Sequence, residues 1–319
     1  MLTVDEIRQA HERIADTLSP TPVLPEGFLS SARAQRVLLK CELFQHTGSF
    51  KPRGGLNWIR TAEDAELSRG LGAVSAGNHA LGLAWAAQAV GVDVTIVMPE
   101  SASDFKVQGT RQLGAEVILH GDINDAWELM HRLVEERGLT LVHPYDDLRI
   151  IAGQGTVGLE ILEQVPEAGT LVCPVGGGGL ITGIAVAARA LRPDIRIIGV
   201  EPEGAASMRA AWTHQGPYRL NSVETCAKSL GAAIVGTYTY PLCRQYVDAL
   251  VTVSEAAILQ ATQHLLTRTK LFVEPGAAVG IAALLEGRLP DPLPDGDIVL
   301  VITGGNMGLD ELAALLPSK

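Results

Sequence analysis

The sequence predicts an α/β protein built from two doubly wound, mostly parallel sheet lobes facing each other across a cleft. Apolar strand-like runs alternate with helical patterns in units of about 20 to 25 residues, the rhythm of parallel strands joined by crossover helices. The alternation occurs twice, once before residue 150 and once after it. In the second set a strand runs directly into four glycines and an apolar helix, the layout of a ligand-binding strand end.

The elements follow in order. Thr3 and Glu6 form a capping box, and Ile7, Ala10 and Ile14 then share one helix face. Thr21-Pro22 ends that pattern. Val37-Leu38-Leu39 reads as a buried strand. Strands are then expected near 72–75, 94–98, 115–119 and 141–142, with helices over 80–90, 106–113 and 125–137 between them. The second set has helices over 155–164 and 180–191 and strands over 170–175, 196–200 and 298–302. This divides the chain into a large lobe of residues 1–50 and 148–319 and a small lobe of residues 51–147.

Composition narrows the function. The 319 residues are 47% hydrophobic, too apolar for a disordered chain, and the formal charge is −11. An acidic chain without a basic tract is not expected to bind nucleic acid or anionic membranes. No apolar run reaches the roughly 20 residues of a bilayer span, and the first residues lack the layout of a secretory signal. Cys41, Cys173, Cys226 and Cys243 are far apart and form no zinc-type cluster, so reduced thiols and a cytoplasmic location are expected.

Two segments carry chemistry. Gly176-Gly177-Gly178-Gly179 lies between a strand and a helix. Without Cβ atoms, successive N–H groups can converge on an anion, helped by the helix N-terminus. No Gly-Lys-Ser/Thr follows, so this is not a Walker loop, and the spacing to Gly183 spoils the dinucleotide fingerprint. The reading is a small phosphate; a nucleotide-binding oxidoreductase is the alternative from another class. The second segment is His46-Thr47-Gly48-Ser49-Phe50-Lys51-Pro52-Arg53-Gly54-Gly55. A nucleophilic lysine needs a lowered pKa, from burial or a nearby cation, and Arg53 is close in sequence to Lys51. A carbonyl cofactor bearing a phosphate needs both an amine and an anion site.

Together these segments resemble the fold type II pyridoxal-phosphate enzymes of the serine/threonine dehydratase group. Ser49-Phe50-Lys51-Pro52-Arg53-Gly54 is similar to that group's lysine site, and Ser75-Ala76-Gly77-Asn78-His79 to the loop after its first small-lobe strand. Gly176 to Gly179 resemble its phosphate loop, and Thr303-Gly304-Gly305-Asn306 its C-terminal motif. His143-Pro144-Tyr145 and Ile151-Ala152-Gly153-Gln154-Gly155 also fit, so the resemblance covers almost the whole chain in order.

The resemblance implies pyridoxal 5'-phosphate as cofactor. Lys51 is implied to form the Schiff base and then to take the substrate Cα proton. Phe50 is implied to pack near the ring, Asn78 to bind the ring hydroxyl, Gly176, Gly177, Gly178, Gly179 and Leu180 to hold the phosphate, and Thr303 to meet the pyridine nitrogen. Ser75, Gly77 and His79 are implied to surround the substrate carboxylate. A hydroxyl is too weak an acid to protonate a pyridine, so the ring is a poorer electron sink and elimination is favoured over transamination. The expected activity is loss of water from a β-hydroxy amino acid of the L-threonine/L-serine type, giving a 2-keto acid and ammonia. 3-Hydroxyaspartate or phenylserine dehydration is the alternative within the family, and a homodimer or larger assembly is expected.

Three positions depart from the group's pattern. Ala76 stands where serine racemases carry a second serine that returns a proton opposite the lysine, so efficient racemisation is not expected. Glu201 and Ala205 fit the group's divalent-cation site, but Ser207 replaces its second carboxylate, so no metal is assigned. Ala227-Lys228-Ser229 stands where many relatives have Ala-Asp-Gly, which makes Lys228 a candidate to attract a second substrate carboxylate. The sequence runs to Lys319, and a C-terminal regulatory domain of the biosynthetic type is not expected.

Overall fold

The computed structural model describes residues 2–31 and 35–315; Met1 and Lys319, both used in reading the sequence, lie outside them. The ten strands of the described residues are β1 (Val23–Pro25), β2 (Val37–Cys41), β3 (Leu71–Val74), β4 (Val94–Met98), β5 (Glu116–Leu119), β6 (Thr140–Leu141), β7 (Ala168–Pro174), β8 (Arg196–Pro202), β9 (Ala249–Val253) and β10 (Asp297–Ile302). They form a six-stranded sheet in the order β1-β2-β10-β7-β8-β9 and a four-stranded sheet in the order β5-β4-β3-β6. Every pairing is parallel except β1 with β2. The predicted α/β class with two mostly parallel sheets is what the chain adopts.

Sheet order places the ligand crevices. In the larger sheet the chain proceeds from β7 through β8 to β9 on one side, while β10 and β2 lie on the other. The direction of winding therefore reverses between β7 and β10. In the smaller sheet β3 leads to β4 and β5 on one side and β6 lies on the other, so it reverses between β3 and β6. Open parallel sheets bind ligands beyond the carboxyl ends of strands at such points. The loops after β7 and β10 begin with Val175 and Thr303, and those after β3 and β6 begin with Ser75 and Val142.

The first helix, Val4–Ile14, has the predicted Thr3–Glu6 capping box and buries Ile7, Ala10 and Ile14. Elsewhere helices start earlier than the sequence suggests. The helix expected from residue 155 spans Leu148–Gln164, because the Asp147 carboxylate accepts from the N–H groups of Arg149 and Ile150 and caps it there. Its glycines are crossing points. A Cβ on Gly153 would lie 2.7 Å from the Gly54 Cα, and one on Gly155 would lie 2.9 Å from the Gly183 carbonyl oxygen. Three helices, Lys51–Thr61, Leu148–Gln164 and Gly179–Leu191, thus pack backbone to backbone beneath the cleft. This fixes the base of the lysine helix against the glycine-loop helix.

Candidate active site

Lys51 is the first residue of its helix, so the helix begins in the middle of the segment His46 to Gly55. Pro52 is tolerated because the first-turn N–H groups have no intrahelical partner. Residues 49–50 pair with 303–304: Ser49 bridges Gly304, and the Phe50 N–H donates to the Thr303 carbonyl at 3.2 Å. The lysine segment and the end of β10 are therefore one local structure.

The Lys51 ammonium donates to the Pro144 carbonyl at 2.7 Å and lies 5.2 Å from the centroid of the Phe50 ring. Burial lowers its pKa to about 8, against an opposing pull from the Glu274 carboxylate. Arg53 is not the cause, contrary to the sequence expectation. Its guanidinium turns away from the cleft into a buried cluster, bonding Glu42 at 2.7 and 2.9 Å and Glu160 at 2.6 and 2.9 Å.

The glycine run faces the same cleft. Gly178 has φ +95°, which an L side chain rarely adopts, and it precedes the first turn of the Gly179–Leu191 helix. A Cβ on Gly177 would overlap the Tyr145 ring, and one on Gly176 would lie 3.1 Å from the Leu230 Cα. Tyr145 is held by its hydroxyl, which donates to the Ile234 carbonyl at 2.8 Å. The helix's first N–H groups have no intrahelical acceptor and can serve an anion.

These segments line one cavity of about 560 Å³. Around it stand Phe50, Lys51, Ser75, Gly77, Asn78, His79, Gly176, Gly177, Gly178, Gly179, Leu180 and Thr303, every site residue expected from the sequence. The Ser75 hydroxyl accepts from the N–H groups of Gly77 and Ala80 at 3.2 and 3.3 Å. Helix Asn78–Val90 starts at Asn78, two residues before the expected point, so the Asn78 and His79 N–H groups also open toward the cleft. His79 is 3% exposed, and its Nε2 lies 3.2 Å from the Val142 carbonyl. Burial and the Lys51 charge lower its pKa to about 3, so the ring is neutral. With its proton on Nε2, the ring offers the cleft no second donor.

Four residues in or beside the cleft were missed by the sequence reading. Glu274, 4% exposed, accepts from the Asn78 amide at 2.6 Å. Asn306, quoted in a motif but given no role, donates to Asn78 Oδ1 at 2.8 Å. The amide of Gln154 is buried with no hydrogen-bond partner for either atom. Lys106 is 8% exposed, and its ammonium makes no hydrogen bond or ion pair among the described residues. The available signal was a lone charge inside an apolar run, as in Phe272-Val273-Glu274-Pro275-Gly276, because a carboxylate is rarely buried without a partner.

The departures have structural outcomes. Both Glu201 oxygens are taken by the N–H groups of Met208 and Arg209, at 2.7 and 2.9 Å, so this carboxylate caps a helix. Burial raises its pKa to about 8. Among the described residues no group of three His, Cys, Asp or Glu is placed to hold a metal. The Lys228 side chain is 72% exposed and its ammonium lies 3.8 Å from Glu311.

A half-buried amine of lowered pKa and a glycine anion cradle, lining one cleft, define an α/β enzyme of the carbonyl–phosphate cofactor class. The pyridoxal-phosphate dependent enzyme model matches residues 14–304, and the chain belongs to that family. Its cofactor is pyridoxal 5'-phosphate, and the amine, cradle, hydroxyl and amide present fit the group. An L-threonine ammonia-lyase of Thermotoga maritima is 39% identical over 317 residues, covering 99% of this chain and 78% of that protein. Among solved structures, a threonine deaminase from T.th. has a TM-score of 0.89 at 41% identity, covering 96% of this chain and 99% of that one. Maize serine racemase has a TM-score of 0.93 at 36% identity, covering 98% and 96%. No helix among the described residues is long and apolar enough to cross a membrane.

Proposed function

We propose that the protein is an ammonia-lyase that removes water from a β-hydroxy amino acid of the L-threonine/L-serine type, yielding a 2-keto acid and ammonia. The observation that carries this reading is the amine of the half-buried Lys51, bonded to the Pro144 carbonyl and near the Phe50 ring in the cavity that the glycine cradle also lines. The names of the threonine ammonia-lyase and threonine deaminase relatives support the substrate class.

When bound, pyridoxal phosphate supplies an aldehyde for amines and a ring that accepts electrons. Gly176 to Gly179 and Leu180 would hold its phosphate through N–H groups, Asn78 would donate to the ring oxygen and the Thr303 hydroxyl would meet the ring nitrogen. Lys51 Nζ would hold the aldehyde, and its free amine would accept the substrate Cα proton. With a pKa of about 8, roughly a tenth of such amines are unprotonated at pH 7, enough for a general base. The substrate carboxylate is received by the Ser75–Gly77 turn and the N–H groups of Asn78 and His79. The His79 ring serves as a neutral wall.

A racemase reading has the maize neighbour in its favour. Against it, the Ala76 methyl group has no proton to return on the face opposite Lys51. A 3-hydroxyaspartate preference through Lys228 has less support, since Glu311 beside it offsets the attraction. The lobe division at residues 51 and 147 belongs to this reading and is supported by the strands, which segregate into two sheets on either side of those positions. A cytoplasmic location is supported by four free cysteines. A homodimer or larger assembly is the expectation for oligomeric state.

The test is a keto-acid assay over threonine, serine, 3-hydroxyaspartate and phenylserine, with the visible spectrum of the pure protein. We expect violet-edge absorption bleached by borohydride, turnover of threonine or serine, and loss of both in Lys51→Ala. Turnover by Lys51→Ala at the wild-type rate overturns the assignment.

A further inference from the structure

We propose that Glu274 and Asn306 are positioning residues that clamp the Asn78 amide from both ends, so that it faces the cofactor's ring oxygen as a donor only. The inference rests on the pyridoxal-phosphate reading of the cleft and adds roles for two residues outside the expected cofactor contacts.

An asparagine amide can be turned over, exchanging its acceptor for its donor, and only its neighbours decide which way it sits. Here both neighbours decide. Asn78 Nδ2 lies 2.6 Å from Glu274 Oε1, and an ionised carboxylate only accepts. Asn78 Oδ1 lies 2.8 Å from Asn306 Nδ2, and an amide nitrogen only donates. The Asn306 amide is itself held, because its Nδ2 also donates to the Thr47 carbonyl at 2.6 Å. Flipping Asn78 would set oxygen against carboxylate and NH₂ against NH₂.

The clamp belongs to the cofactor site. Asn78, Asn306 and Glu274 are 7%, 8% and 4% exposed, and Asn78 and Glu274 line the cleft. Nδ2 has two hydrogens, and Glu274 uses one. The remaining hydrogen is the donor available to a ligand in the cleft. Either form of a ring hydroxyl can accept from this donor, but the bond to the deprotonated oxygen is the stronger, so the donor favours that form. Glu274 precedes Pro275 at the start of helix Pro275–Leu285, and its own N–H donates to the Gly304 carbonyl at 3.2 Å. Glu274 is thus bonded to Gly304 and Asn306 follows it two residues later, and both side chains meet the helix that carries Asn78.

The groups facing the carboxylate are Lys106, Asn78, Ser229 and Glu311, with Lys51 also within its field. Burial raises the Glu274 pKa while Lys106 and the hydrogen bonds from Asn78 and Ser229 lower it. Glu274→Gln keeps an oxygen that can accept from Asn78 without the charge, whereas Glu274→Ala removes the acceptor.

The experiment reads cofactor affinity by fluorescence titration of the cofactor-free protein, and the pH midpoint and wavelength of the bound cofactor's visible band. Glu274→Ala and Asn306→Ala are each expected to weaken cofactor binding at least tenfold and to shift the band's pH midpoint upward. Glu274→Gln is expected to recover affinity to within threefold of wild type. Unchanged affinity and an unchanged band in both alanine variants overturn the clamp. So does equal damage from Gln and Ala at position 274, the signature of a merely structural carboxylate. A wild-type protein with no such band refutes the cofactor reading instead, so the two failures are distinguishable.

Discussion

Arg53 grips Glu160 through two hydrogen bonds, of 2.6 and 2.9 Å, two residues beyond the amine of Lys51. Glu42 takes the other edge of the guanidinium, and Lys40 meets Glu160 at 2.5 Å, so two cations and two anions are sealed together. All four side chains are at most 2% exposed. The cluster ties the lysine helix to β2 and to helix Leu148–Gln164 while the amine itself faces the cleft.

Removing one member of a buried charged set leaves an uncompensated charge, at a cost of about 3–5 kcal/mol. Arg53→Met should therefore lower the thermal midpoint sharply, and Arg53→Lys, which cannot fork onto two carboxylates, should lie between it and wild type. Thermal unfolding of the three proteins checks this. A midpoint for Arg53→Met within 2 °C of wild type, allowing about that much for a negligible change, would contradict it.

Lys51 gives a pH prediction. Its ordinary pKa of 10.5 falls to about 8 in the cleft, so the unprotonated amine becomes available at lower pH than for an exposed lysine. Only that form attacks an aldehyde. Cofactor uptake by the cofactor-free protein should rise about tenfold per pH unit below the midpoint and level off above pH 8. Stopped-flow absorbance between pH 6 and pH 10 measures it, and a midpoint near 10.5 would show the amine to be solvated.

Most of the cleft was legible in the sequence because backbone chemistry leaves a mark in the text. Four glycines after a strand, a lysine before proline, and Ser75-Ala76-Gly77-Asn78 after another strand are local patterns, and the glycine and Ser75 loops lie where sheet order puts a crevice. The partners that hold those groups were hidden. Asn78 and Glu274 are 196 positions apart, and nothing in either neighbourhood names the other. Arg53 was misread for the same reason. Its closeness to Lys51 in sequence suggested closeness in space, but helix geometry sends the two side chains in different directions and Glu42 and Glu160 capture the guanidinium. The early start of helix Leu148–Gln164 was missed because its glycines serve close helix crossing.

Ala76 supplies a gain-of-function test. The turn around it is built by the Ser75 hydroxyl and the Gly77 N–H, and the residue between them lines the cleft. Ala76→Ser adds a hydroxyl to that wall without adding another carbon. It should introduce slow formation of D-serine from L-serine while leaving most elimination activity intact. Chiral chromatography of the reaction mixture is the measurement, and the absence of D-serine would refute the role given to this position.

Lys106 and Lys228 both reach the cleft, but their surroundings differ. Lys228 is mostly solvated and stands beside Glu311. Lys106 is buried without a hydrogen-bonding partner, and its Cδ would lie 4.0 Å from a Cβ on Gly77, beside the turn proposed for the substrate carboxylate. Glu274 faces Lys106 as Glu311 faces Lys228, so burial is what separates them: the buried cation is the stronger attractor for an anionic substrate, because screening is weaker away from water. Lys106→Met should raise KM for threonine about tenfold or more, the equivalent of one lost charge-assisted contact of roughly 1.4 kcal/mol or above, and leave cofactor affinity unchanged. Lys228→Ala should leave both KM and the ratio of threonine to 3-hydroxyaspartate turnover unchanged. Steady-state kinetics on the two substrates decide the matter. If Lys228→Ala shifts that ratio while Lys106→Met does not raise KM, the exposed lysine selects the substrate and the buried one only fills space.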